Sequence, residues 1–61
     1  MTQEQAHRWA QALIRWGFDE VEIVHRVATD ERAIRARNRA GMPRTVNNAD
    51  DFAELKRFTF K

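Results

Sequence analysis

The chain has 61 residues and a mass of 7.2 kDa, enough for one domain and no second, and a domain this small buries only about 60% of the surface its unfolded chain exposes. With no Cys, disulfides, thiolate metal sites and thiol nucleophiles are excluded, and a second copy of the chain is the expected source of extra stability. At 43% hydrophobic and 33% charged residues the composition is that of a soluble globular protein, with no apolar run long enough to span a membrane and, in MTQEQAHRW, no signal-peptide pattern, which points to the cytoplasm.

The first element is a helix over about residues 3–16. Thr2 with Gln5 three positions on is a capping-box pattern, Ala6, Trp9, Ala10, Leu13 and Trp16 recur at spacings of three and four, and Gly17 supplies a stop. A second helix is expected over 19–28. Asp19 can cap it, Glu22 completes a capping box, Phe18 can staple onto Ile23, and Ile23, Val24, Val27 and Ala28 form its buried face. A third helix is expected over 30–40, capped by Thr29 or Asp30 with Asp30 and Glu31 in its first turn and closed by Gly41 and Pro43. At about 100° per residue, Arg32, Arg35 and Arg39 share its outer face while Ala33, Ala36 and Ala40 lie opposite, with Ile34 at their edge. Residues 43–60 are open between two forms. Asn48 could cap a helix Ala49–Arg57 carrying Phe52, Leu55 and Phe58 as a stripe, or Arg44–Asn47 and Phe52–Phe60 could pair as a hairpin, the form that the alternation Phe58-Thr59-Phe60-Lys61 suggests. The predicted fold is therefore mainly α, a single domain over 1–61 with a three-helix core.

Charge sharpens this pattern. Net charge is only +2, yet residues 1–30 hold three Arg against five acids, residues 31–45 five Arg against one acid, and residues 46–61 balance three against three. Nine of the eleven basic residues are Arg, and their clustering between 31 and 45 favours phosphate or carboxylate recognition.

From Glu20 to Arg39 the segment EVEIVHRVATDERAIRARNR resembles the helix-turn-helix unit of phage and bacterial repressors, in which the second helix enters the major groove. Ile23 and Val27 match its first helix, Ala28 its turn and Ile34 its second helix, while Val24, Thr29 and Arg37 depart from its pattern. Ala40-Gly41, Thr45 to Asp50, Ala53 to Lys56 and Phe58 are similar to the tail of the Cro repressors of lambdoid phages, and the Gly-x-Pro segment is similar to that of winged excisionase-type proteins. These resemblances cover residues 20–58. They imply a small helix-turn-helix domain with a C-terminal fourth helix or Cro-like β-hairpin, acting as a homodimeric, repressor-like DNA-binding regulator of phage or mobile-element type.

On that reading double-stranded DNA is the partner. Arg32, Arg35 and Arg39 are the main contacts, with Glu31, Asn38, Arg44 and Arg26 as secondary ones, through phosphate neutralisation and bidentate guanine recognition. Phe52, Leu55, Phe58 and Phe60 are the residues available for dimerisation. The alternative is a small helical inhibitor or adaptor that sets the Arg face and the Phe-rich tail on a host protein. Trp9 and Trp16 read as core, His25 as an exposed structural residue, and His7 with Glu4 as too few ligands for a metal. No Ser, Cys or Tyr and no Gly-rich loop is present, so neither an enzyme nor a cofactor is expected.

Overall fold

A computed structural model describes residues 1–60. The element order is α1 (Gln3–Arg15), β1 (Asp19–Arg26), β2 (Glu31–Arg37), β3 (Pro43–Val46) and α2 (Ala49–Thr59). The three strands form one antiparallel sheet in the order β1-β2-β3. This α+β architecture replaces the three-helix core expected from the sequence. Where helices are predicted over 19–28 and 30–40 the chain forms the strands Asp19–Arg26 and Glu31–Arg37, so there is no helix-turn-helix unit among the described residues.

Helix α1 follows its local signals. The Thr2 hydroxyl accepts from the Gln5 amide at 3.1 Å. At the other end Gly17 adopts φ +95°, its amide donates to the Ile14 carbonyl at 3.1 Å, and the Phe18 amide donates to the Leu13 carbonyl at 3.0 Å. This is the Schellman arrangement, with its accompanying apolar contact between Leu13 and Phe18 in the core.

The chain then enters β1 because Val21 and Ile23 alternate with Glu20 and Glu22, a period of two that a one-sided sheet demands. Asp19 and Glu22, expected to cap a helix, instead lie opposite Arg37 and Arg35 of β2. In β2, Ile34 and Ala36 point inward and are buried, while Arg35 and Arg37 point out. The register aligns Ile23, Ile34 and Val46 across all three strands. Ala and Arg are good helix formers, but β-branched residues in β1 and an antiparallel partner for β2 override that preference.

Both helices lie against the inner face of the sheet. The core joins Ala10, Leu13 and Phe18 to Ile34, Ala36 and Val46, and the small Ala6 and Ala10 let α1 approach closely. Helix α2 starts where the sequence places it: the Asn48 side chain accepts from the Asp51 amide at 2.9 Å, and the Asp51 carboxylate accepts from the Asn47 amide at 2.9 Å. The hairpin alternative for the tail is thereby overturned, since residues 43–46 pair with β2 and residues 49–59 are helical. An aromatic seam fastens α2 to α1. Phe52 stacks on Trp9 at 4.7 Å and on Trp16 at 5.2 Å, and Phe60 meets Trp16 edge-on at 5.2 Å. No helix among the described residues is long and apolar enough to cross a membrane.

Candidate nucleic-acid interface

The fold takes apart the stripe of Arg32, Arg35 and Arg39 expected from the sequence: of the three, the open face of the sheet carries Arg35 alone, beside Arg26 and Arg37. Arg35 faces outward, with its guanidinium 3.7 Å from the Glu22 carboxylate. Arg37, not among the expected contacts, bonds Glu20 at 2.6 Å and also donates to the Gly41 carbonyl at 2.8 Å. Arg26 lies directly opposite Glu31 at the hairpin end. Glu20 holds its place through φ +53°, where the register shifts between Asp19 and Glu22. Three arginines and three glutamates therefore share this face, and its net charge is close to nil. Exposed pairs of this kind contribute little to stability, but they remove most of the field a phosphate would sense.

The remaining expected contacts are scattered. Arg32 sits opposite His25 on the inner side of the sheet and is half-buried near Asn47 and Asn48. Asn38 is consumed within its own loop. Its side-chain oxygen accepts from the Ala40 and Met42 amides, both at 3.0 Å, and its amide donates to the Met42 carbonyl. Among the described residues, no helix presents Arg32, Arg35 and Arg39 together. At the other hairpin, His25 bonds Asp30 at 2.8 Å. Together with the Arg32 charge, that bond holds the Asp30 carboxyl below its usual value of 3.8.

Arg39 and Arg44 have a different environment. Arg39, in the β2–β3 loop, lays its guanidinium over Gly17, where an added Cβ would stand 2.5 Å from its Nε. That position is beside the carbonyl end of α1, where a helix favours a cation. Arg44 projects from β3 toward α2. Between them opens a cleft of about 320 Å³ floored by Trp16, Phe18 and Leu55 and walled by Phe58 and Phe60. The last turn of α2 adds Lys56 and Arg57 beside the same two Phe rings, with Glu54 as the opposing acid. Among the described residues, no carboxylate lies within ion-pair distance of Arg39, Arg44, Lys56 or Arg57. Phe58 is 68% exposed and Phe60 61%.

The residues expected at a dimer contact thus divide. Phe52 and Leu55 pack within the chain, while Phe58 and Phe60 remain at the surface. Lys56 and Arg57 are site residues that the helix-turn-helix reading passes over. Their signal is legible in the segment Lys56-Arg57-Phe58-Thr59-Phe60, two adjacent bases followed by two rings either side of Thr59. Among the described residues no group of three or more His, Asp or Glu side chains gathers to hold a metal. No protein-family model matches this chain, and comparisons with curated proteins and with solved structures give no significant match.

Proposed function

We propose that this protein binds nucleic acid through the end of the molecule where the β2–β3 loop meets the C-terminal turn of α2. One observation carries the reading: among the described residues, Arg39, Arg44, Lys56 and Arg57 stand unpaired around two exposed Phe rings, whereas Arg35 and Arg37 of the sheet face are matched by glutamates. Unpaired guanidinium and ammonium groups release condensed counterions when they meet phosphates, which supplies affinity and makes it salt-dependent. A role as a transcriptional regulator is compatible with this surface, but insertion of a third helix into the major groove is not, since residues 31–37 form a strand.

The partner class is tested by fluorescence anisotropy of labelled, mixed-sequence nucleic acid, both strand states included, at about 50 and 200 mM salt, where phosphate contacts give a steep loss of affinity. The Arg39→Ala/Arg44→Ala variant is expected to lose most of the binding at the lower salt. Absence of binding by the parent chain at that salt would sink the reading. The alternative, an acidic segment of a host protein seated on the same arginines and rings, would then be examined with acidic, aromatic-containing peptides.

A further inference from the structure

Resting on that reading, we infer that the strand state recognised is single-stranded, with unpaired bases stacking on Phe58 and Phe60 while Arg39, Arg44, Lys56 and Arg57 track the backbone. Each ring is more than half exposed at the end of a helix, and both border the cleft that Arg39 and Arg44 flank. An exposed ring offers a π-face, and every base has one to match it, but a duplex keeps its base faces inside the stack. Only an unpaired base can use such a platform.

The rings are also prepared for the task to different degrees. Phe60 is held edge-on against Trp16 at 5.2 Å, so stacking on it orders a side chain already constrained. Phe58 has no aromatic partner among the described residues and is the more available of the two. Among the described residues the cations around them have no carboxylate within ion-pair distance, and two acids border the rings, Glu54 beside Phe58 and Phe60 and Asp51 beside Phe58 and Arg44.

The parts of the molecule that could read a duplex lack the means. The β1–β2 ribbon presents its arginines opposite Glu20, Glu22 and Glu31, so a groove-entering ribbon would bring acids to the phosphates. The amide most suited to base edges, Asn38, spends its side-chain oxygen on two backbone donors. The N-terminus of α2, where a helix could meet a phosphate, holds Asp50 and Asp51.

The experiment uses the full chain with a labelled thymidine oligomer of about 12 nucleotides, within the span of small single-strand sites, and a duplex of the same length. At about 200 mM salt the single strand is expected to bind at least about tenfold more tightly than the duplex. Phe58→Leu and Phe60→Leu retain an apolar side chain at the helix end, and each is expected to weaken single-strand binding about 5- to 150-fold without changing duplex binding. In a Trp9→Phe background, Trp16 is the sole indole, and its emission is expected to change when a base stacks on Phe60. Equal affinity for the two strand states, or Leu variants that bind the single strand like the parent, would overturn the inference. If binding then still fell in the Arg39→Ala/Arg44→Ala variant, nucleic-acid binding itself would stand. No binding to either strand state at about 50 mM salt would remove both, and capture of an acidic peptide instead would assign the surface to a protein.

Discussion

The open sheet face and the C-terminal end of α2 are both rich in basic residues, yet they are built for different ends. On the sheet, each outward arginine has a glutamate across the strand: Arg35 has Glu22, Arg37 has Glu20, and Arg26 has Glu31. At the helix end, Arg39, Arg44, Lys56 and Arg57 surround two exposed rings with no ion-pair partner among the described residues. Counting arginines along the chain does not separate these surfaces. Cross-strand neighbours do, because an arginine with a carboxylate beside it has already lost much of its field.

The largest expected effect removes the support that both regions share. Ile34 is fully buried at the centre of the sheet, and Ile34→Ala is expected to cost about 2–5 kcal/mol through lost transfer energy and the cavity left behind. That is a large part of the total stability of a small domain. Chemical denaturation measures it, and a loss below about 1 kcal/mol would remove Ile34 from the common core.

Gly17→Ala separates the regions more finely. Forcing a Cβ residue to φ +95° at the end of α1 is expected to cost about 1–3 kcal/mol, and the new methyl group must push the Arg39 guanidinium aside. Binding at the helix end is expected to weaken while the ion pairs of the sheet remain. A variant with unchanged stability would contradict the C-cap geometry.

Arg35→Ala/Arg37→Ala comes next. Each exposed pair is worth roughly 0–1 kcal/mol, so the melting transition shifts only slightly, and nucleic-acid affinity is expected to stay near that of the parent. A large loss of affinity would place the interface on the sheet after all.

The smallest effect lies at the β1–β2 hairpin. The folded Asp30 carboxyl titrates below 3.8 because His25 bonds it and Arg32 is near. Its contribution is therefore present above the unfolded value and is lost as pH falls through the lower folded value. Asp30→Asn is expected to flatten that part of the stability–pH curve, while leaving binding at the distant helix end unchanged.

How far the sequence reveals this arrangement depends on whether a signal is local. Thr2, Gly17 and Asn48 act within a few residues, and α1 and the start of α2 lie where those residues predict them. The segments EVEIVHRV and ERAIRAR carry both a period near 3.6 and a period of two, and only pairing between residues far apart in the chain decides between them. Asp19 and Glu22 illustrate the ambiguity, since a capping box and a cross-strand charge pair require the same residue types. Gly41 and Pro43 end a helix in one reading and turn a hairpin in the other. The candidate site divides in the same way. The arginine excess over 31–45 is visible in the chain, but which arginines meet glutamates is settled by strand register. The two bases and two rings of Lys56–Phe60 are local and legible in the sequence alone.

Glutamate partners decide which basic residues of this protein are free to bind. This is tested most directly by measuring single-strand affinity for three proteins side by side at one salt concentration: the parent, Glu20→Gln/Glu22→Gln, and Arg39→Ala/Arg44→Ala. Freeing Arg35 and Arg37 is expected to raise affinity or add a duplex-binding mode, and the Arg39/Arg44 variant is expected to lose about tenfold or more. Affinity that is unmoved by losing Arg39 and Arg44, together with no gain on freeing the sheet arginines, would contradict this role of the glutamates.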